Sequence, residues 1–146
     1  MNKPLIEFIK THPDAKLPKY AHEHDVGADL YSIETRIIKA VGWPYVLDTG
    51  LTLAYCDPDF EIQIRSKSGL AVKGIQVVNS PGTVDPGYRG PIKVILTSHF
   101  DMHFHVLAGE KIAQLVVAPR YRADFGFTEE KTETDRGTGG FGSTGV

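Results

Sequence analysis

The hexapeptide Phe60-Glu61-Ile62-Gln63-Ile64-Arg65 alternates apolar and polar side chains along its whole length. A period of two is the spacing of a β-strand, whose successive side chains point to opposite faces; a helix buries positions three and four apart. The hexapeptide therefore reads as a strand with Phe60, Ile62 and Ile64 turned inward. The same alternation appears from His99 to Val106. There His99, Asp101, His103 and His105 fall on one face, and Phe100, Met102, Phe104 and Val106 on the other. Further strands are expected over 5–9, 45–55, 72–78, 92–96 and 112–118. Turn formers stand between them, as in Asp57-Pro58-Asp59, Ser80-Pro81-Gly82 and Asp85-Pro86-Gly87. Many short strands at such intervals predict an all-β sandwich or barrel, with one short helix near 68–73 and no long one.

Composition agrees with one globular domain. The chain has 146 residues, 41% hydrophobic and 23% charged. At that length a core forms without metal or disulfide staples. Cys56 is the single cysteine, which excludes an internal disulfide framework and suits a reducing compartment. No run approaches the roughly 18–20 apolar residues that cross a bilayer. The first ten residues lack the basic-then-apolar order of a signal peptide, so a cytoplasmic protein without a membrane partner is expected. A net charge of −2 argues against a broad nucleic-acid surface but leaves room for a local basic pocket. No repeat or linker is evident. A single domain over 1–135 is expected, followed by an arm over 136–146.

The arm is compositionally distinct. Arg136-Gly137-Thr138-Gly139-Gly140-Phe141-Gly142-Ser143-Thr144-Gly145 is glycine-rich with one aromatic residue and cannot form a core of its own. It reads either as a disordered tail or as a segment that orders on a ligand, since glycine N–H groups approach an anion closely. Gly137-x-Gly139-x-x-Gly142 matches the dinucleotide-binding spacing, but too few residues follow for the required helix. No Walker-type loop is present.

Three other stretches carry chemistry. Arg65-Ser66-Lys67-Ser68-Gly69-Leu70-Ala71 ends the founding strand with two cations and two hydroxyls. It is an anion cradle or an ordinary charged strand end. Asp85, in Gly82-Thr83-Val84-Asp85-Pro86-Gly87-Tyr88-Arg89-Gly90, is a turn former or a general base, with Tyr88 as a flat wall for a sugar or base. The histidines on one face of 99–105 present a metal-ligand set only if that face is not simply solvated, which strand alternation by itself explains. His22-Glu23-His24 is weaker still, and no zinc-type spacing occurs.

Taken together and in order, these stretches resemble the trimeric, all-β dUTP pyrophosphatase (dUTPase) family. Five motifs carry the resemblance: Gly27-Ala28-Asp29-Leu30-Tyr31-Ser32; Lys67-Ser68-Gly69-Leu70-Ala71; the stretch from Gly82 to Gly90; Gly109-Glu110-Lys111-Ile112-Ala113-Gln114-Leu115; and the arm from Arg136 to Gly145. The resemblance implies a jelly-roll-like subunit, a homotrimer with active sites shared between chains, and hydrolysis of dUTP to dUMP and pyrophosphate with Mg²⁺ (dUTP diphosphatase activity). Such an enzyme limits uracil entry into DNA and supplies dUMP for dTMP synthesis. It further implies that Asp85 orients and deprotonates the water attacking the α-phosphorus, and that Lys67, Ser68, Gln114 and Arg136 donate to the triphosphate. Asp29 would hold Mg²⁺ indirectly, through water. Asn79 and the hairpin carrying Thr83, Val84 and Lys93 would read uracil, and Tyr88 would pack on the deoxyribose. Phe141 would cover the base, while Gly69, Gly142, Ser143 and Thr144 would complete the phosphate contacts.

One departure stands out. The family usually has Pro-Arg-Ser-Gly in the second motif, where this chain has Ser66-Lys67-Ser68-Gly69. Lysine keeps the charge but loses the planar fork, and Arg65, two residues earlier, is an alternative source of it. A dCTP deaminase, a non-catalytic nucleotide sensor and a jelly-roll structural protein are the rival readings. The arm and the Asp85 motif favour the dUTPase over all three.

Overall fold

The founding hexapeptide forms β5 (Phe60–Arg65), with Ile62 and Ile64 buried and Arg65 exposed, as its alternation requires. The computed structural model of the chain describes residues 3–39 and 42–145. Met1 and Val146, the outer ends of the expected domain and arm, lie outside the described residues.

Two four-stranded antiparallel sheets share one core. In the first the order is β1 (Ile6–Lys10), β4 (Tyr45–Cys56), β8 (Pro91–Ser98), β6 (Ile75–Val77). In the second it is β2 (Gly27–Tyr31), β10 (Lys111–Pro119), β5, β7 (Gly82–Val84). A third, two-stranded antiparallel sheet pairs β3 (Arg36–Ile38) with β9 (Phe104–Val106). Leu47, Leu53 and Val94 from the first sheet and Leu30, Ile62 and Leu115 from the second belong to one continuous buried cluster. The expected all-β, jelly-roll-like class is thus the one found. Cys56 is part of that core, its thiol pushed up by burial and by the charge of Asp57, which keeps it a packed, protonated group.

Local chemistry explains where the elements differ from expectation. The short helix is α1 (Ser68–Ala71), and Gly74, at φ +80°, ends its trailing turn. The strand expected over 72–78 therefore shrinks to Ile75–Val77. The strand expected over 99–106 is also shorter. The chain bends after Ser98, whose Oγ donates to the Phe100 carbonyl, and extended structure resumes only at Phe104. Phe100 and Met102, expected inward, are exposed. β2 was hidden because Ala28, Asp29 and Leu30 are all buried, which erases alternation.

Packing stops at β10. Arg120 still reaches back, donating from Nε to the Pro58 carbonyl, but residues 121–138 are exposed, including Tyr121, Phe125 and Phe127. In the single chain, residues 121–135 of the expected domain therefore find no core of their own. No helix among the described residues is long and apolar enough to cross a membrane.

Candidate active site

The β7 hairpin builds a pocket. Val84 pairs with Ile62 and Gly82 with Ile64, which places the turn after β7 at the outer edge of the second sheet. The pocket there, about 350 Å³, is lined by Asn79, Thr83, Val84, Asp85, Tyr88 and Lys93, together with Val46, Ile64, Gly82, Pro91, Ile92 and Ile95. That volume is at the lower end for small-ligand sites. Asp85 is a turn former, as one of its two readings held, and it also stands in the pocket wall. Its carbonyl accepts the Tyr88 N–H at 2.9 Å, closing a turn, and its residue lines the pocket. Its carboxylate takes part in none of the ion pairs found among the described residues.

The wall of the pocket is braced. Tyr88 donates its hydroxyl to the Pro91 carbonyl at 3.0 Å, and its ring lies so close over Gly90 that any β-carbon there would collide with it. Arg89 Nη1 donates to the carbonyls of Pro86 and Tyr88 at 2.7 and 2.6 Å, holding the turn from beneath. Lys93 lies 3.9 Å from Asp48.

A second, polar cleft of about 430 Å³ sits at the opposite edge of the same sheet, lined by Asp25, Gly27, Asp29, Lys67, Lys111 and Gln114, with Ala21 and Val26. Asp29 is buried there, one carboxylate oxygen bonded to the Lys67 ammonium and the other 2.7 Å from that of Lys111. Burial pushes the Asp29 carboxyl up, but hydrogen bonds and attraction from Lys111 and Lys67 outweigh it and hold the group below its ordinary 3.8. The same bond pushes Lys111 up. Gln114 faces Asp29 across β2·β10 and Arg65 across β10·β5. Its Nε2 donates to the Ser66 carbonyl at 2.9 Å, and its side chain occupies the space where a β-carbon of residue 27 would stand, so Gly27 is needed there. Ser66 is a junction: its Oγ accepts the Val77 N–H and its own N–H donates to Ser80 Oγ. This network fixes the turn that presents Lys67, Ser68 and Gly69.

The structure separates the two candidate cations of the second motif. Arg65 turns back along β5 to Gln63 Oε1, at 3.0 Å from Nε and 2.5 Å from Nη2, whereas Lys67 enters the cleft. Lys111 is the residue that sequence reasoning left without a role. Nothing in its spacing showed that a bulge between Lys111 and Ala113 would bring it to Asp29.

Among the described residues, the hydrogen bonds of the arm run within it or to the adjoining Thr134. Arg136 Nε donates to the Gly139 carbonyl at 3.0 Å, and Gly142, Ser143 and Phe141 lie in successive turns, with Phe141 fully exposed at φ +50°. The two clefts share no lining residue, and three strand spacings, roughly 14 Å, separate β2 from β7. One chain thus holds the parts of the expected site in three separate places.

Metal ligation fares poorly on donor chemistry. Asp29 is a single carboxylate already neutralised by two ammoniums, and no group of three or more His, Cys, Asp or Glu positioned for a metal exists among the described residues. Mg²⁺ keeps several waters and takes one or two carboxylates together with substrate phosphates, so the one carboxylate here would reach it through water, as expected of Asp29, and not as part of a protein cage. The histidine set of 99–105 is also not assembled, because the strand that would align it is not formed.

An antiparallel jelly roll with a hairpin pocket and a glycine-rich arm defines a class of fold, and comparison supplies the family. A dUTPase family model matches residues 13–145. The chain is 48% identical to a deoxyuridine 5'-triphosphate nucleotidohydrolase of a Picosynechococcus species, over 97% of this chain and 99% of that one. It is 46% identical to one of Helicobacter pylori, over 97% of each. Its fold matches the Staphylococcus bacteriophage 80alpha dUTPase solved with dUpNHpp, with a TM-score of 0.86, 23% identity and coverage of 97% and 99%. It also matches a dUTPase variant from phage phi11 of S. aureus, described with a structural Mg(II) ion, at a TM-score of 0.76, 18% identity and coverage of 88% and 99%. The chain belongs to the dUTPase family.

Proposed function

We propose that the protein hydrolyses dUTP to dUMP and pyrophosphate in a cytoplasmic setting, at sites assembled from more than one copy of the chain. The observation that carries this reading is the gathering of Asp85 with Asn79, Thr83, Val84, Tyr88 and Lys93 in one pocket. Nucleoside recognition and a free carboxylate then meet at one place. In the reaction a water oxygen bonds to the α-phosphorus, the bond from that phosphorus to the α,β-bridging oxygen breaks, and pyrophosphate leaves. Asp85 accepts the proton of the attacking water. Tyr88, fixed by its bond to the Pro91 carbonyl, is the rigid face against which the deoxyribose packs, leaving no room for a 2′-hydroxyl. The products suit a role in limiting uracil entry into DNA and supplying dUMP for dTMP synthesis.

The triphosphate needs more donors than Lys93 and its neighbours in the pocket supply. Lys67, Ser68, Gln114 and Arg136 are the candidates, with Gly69, Gly142, Ser143 and Thr144 beside them. Gln114 spends one amide hydrogen on Ser66 and keeps a second to give. Lys67 and Gln114 line the cleft at the other edge of the sheet, Ser68 and Gly69 follow Lys67 in α1, and the rest lie on the unattached arm, which favours a homotrimer in which one chain's pocket meets another's donors. The exposed alternation Tyr121-x-Ala123-x-Phe125-x-Phe127 supports the same assembly, because these side chains find no core in their own chain. Phe141 would close over the base and exclude water. Mg²⁺, which the resemblance implies, would have no direct ligand in this chain and would meet Asp29 only through water.

The test is pyrophosphate release from each dNTP and from UTP, with Mg²⁺. dUTP should be the preferred substrate, and Asp85→Asn should lower turnover by about 10²–10⁴ while leaving nucleotide binding nearly intact. Turnover within a few-fold of the parent would remove Asp85 from the mechanism. Sedimentation of a fully active monomer would overturn the shared site.

A further inference from the structure

Lys111 has no part in that mechanism, yet it holds one of the two oxygens of a buried carboxylate. The Asp29 side chain is 8% exposed, that of Lys67 26% and that of Lys111 51%. A buried carboxylate stripped of its partner is strongly disfavoured, but one ammonium is enough to compensate it. The second ammonium is surplus, and both face the same polar cleft.

The two lysines are held differently. Lys111 starts β10, next to β2, which carries Asp29; the ladder pairs Lys111 with Tyr31 and Gln114 with Asp29. The bulge between Lys111 and Ala113 re-aims the strand end, so sheet geometry itself places this ammonium on Asp29. Lys67 lies instead in the connection from β5 to α1. It is the N-cap residue, makes no side-chain cap bond, and reaches Asp29 on a flexible four-carbon stem. One partner is thus placed by the sheet and the other by the connection that follows β5.

We propose that Lys111 is a positioning residue that keeps Asp29 compensated while Lys67 leaves it for a phosphate oxygen of the nucleotide, so that Asp29 is the resting dock of Lys67. This rests on the reading of Lys67 as a triphosphate contact. Without Lys111, departure of Lys67 would strand a buried charge, and Lys67 would stay where it is.

The test is binding to the full-length protein, by calorimetry for dUpNHpp and by NMR titration for deoxyuridine, which has no phosphate. Lys111→Met should weaken dUpNHpp about tenfold, the scale of one charge-assisted hydrogen bond, and leave deoxyuridine within twofold. Lys111→Arg should restore the parent affinity. In an Asp29→Asn background, Lys111→Met should cost nothing, because no carboxylate remains to be compensated. Unchanged dUpNHpp affinity in Lys111→Met overturns the proposal. So does equal weakening of deoxyuridine, which marks a merely structural role. A loss that persists in the Asp29→Asn background also overturns it, since Lys111 would then touch phosphate directly. Lys67→Met separates the two layers. If it leaves dUpNHpp binding intact, the triphosphate role of Lys67 fails; if it weakens binding while Lys111→Met does not, only the exchange fails.

Discussion

Deleting residues 136–146 should leave the protein as stable as before and nearly inactive. The stability half follows from the hydrogen bonds of the arm, which run within it, as from Arg136 Nε to the Gly139 carbonyl and from the Ser143 N–H to the Gly140 carbonyl, or to the exposed Thr134 beside it, and none reaches the packed sheets among the described residues. Phe141 is fully exposed, so its removal returns no apolar surface to water at the usual 25 cal/mol per Å² or so. The melting temperature should therefore move by no more than about 2 °C, the effect of roughly 0.5 kcal/mol. The activity half follows from charge and coverage. A positioned arginine in related phosphoryl chemistry is worth about 10³–10⁵, or about 4–7 kcal/mol of barrier, and the arm would supply Arg136 together with the ring that shields the attacked phosphorus. Calorimetry paired with pyrophosphate release reads both halves. Glycines at 137, 139, 140, 142 and 145 make the segment entropically costly to order, so closure should require ligand. Amide exchange over 136–145 should accordingly be fast in the free protein and slow with dUpNHpp. A truncated enzyme working at the full-length rate would refute the reasoning and return the segment to a plain tail.

Three further outcomes are expected. Ser68→Ala should lower the single-turnover rate by about 10²–10³ if its hydroxyl meets charge developing on the leaving phosphate; an unchanged rate leaves Ser68 as a turn residue. Lys67→Arg should be neutral or improve triphosphate affinity in a binding titration, because the planar fork can take two oxygens at once; a large loss would show a pocket shaped for the compact ammonium. Asp29 is held below its ordinary 3.8, so its contribution to stability is fully present above that pH and is lost as pH falls through the lower folded value. Asp29→Asn should therefore flatten the fall in melting temperature on acidification below about pH 4; an identical acid limb in parent and variant would count against that coupling.

What the sequence disclosed, and what it hid, follows burial. β5 and β8 were legible because one face of each is buried: Ile92, Val94 and Leu96 alternate inward past Pro91, Lys93 and Ile95. β2 was not, since burial of Ala28, Asp29 and Leu30 on both faces leaves no period to read. Alternation from His99 to Val106 misled for the opposite reason, as Phe100 and Met102 obey the pattern while staying exposed rather than entering the core. The residues named around Asp85 line one pocket, because a hairpin and the turn beside it keep neighbours in sequence together in space. The pairing of Asp29 with Lys67 and Lys111 was out of reach, depending as it does on three separate segments and one bulge.

The distance between β2 and β7 has a genetic consequence. If every working site takes its carboxylate base from one chain and its phosphate donors from another, a subunit lacking Asp85 and a subunit lacking Ser68 are defective in different halves. Two alleles, each null when alone, would then rescue one another in a cell that carries both. Mixed assemblies would contain some sites drawn entirely from the sound half of each parent and others built from both faults. Activity in such a heterozygote would rise above either homozygote yet stay well below the wild type. Interallelic complementation of that kind is invisible for an enzyme whose site lies within one chain.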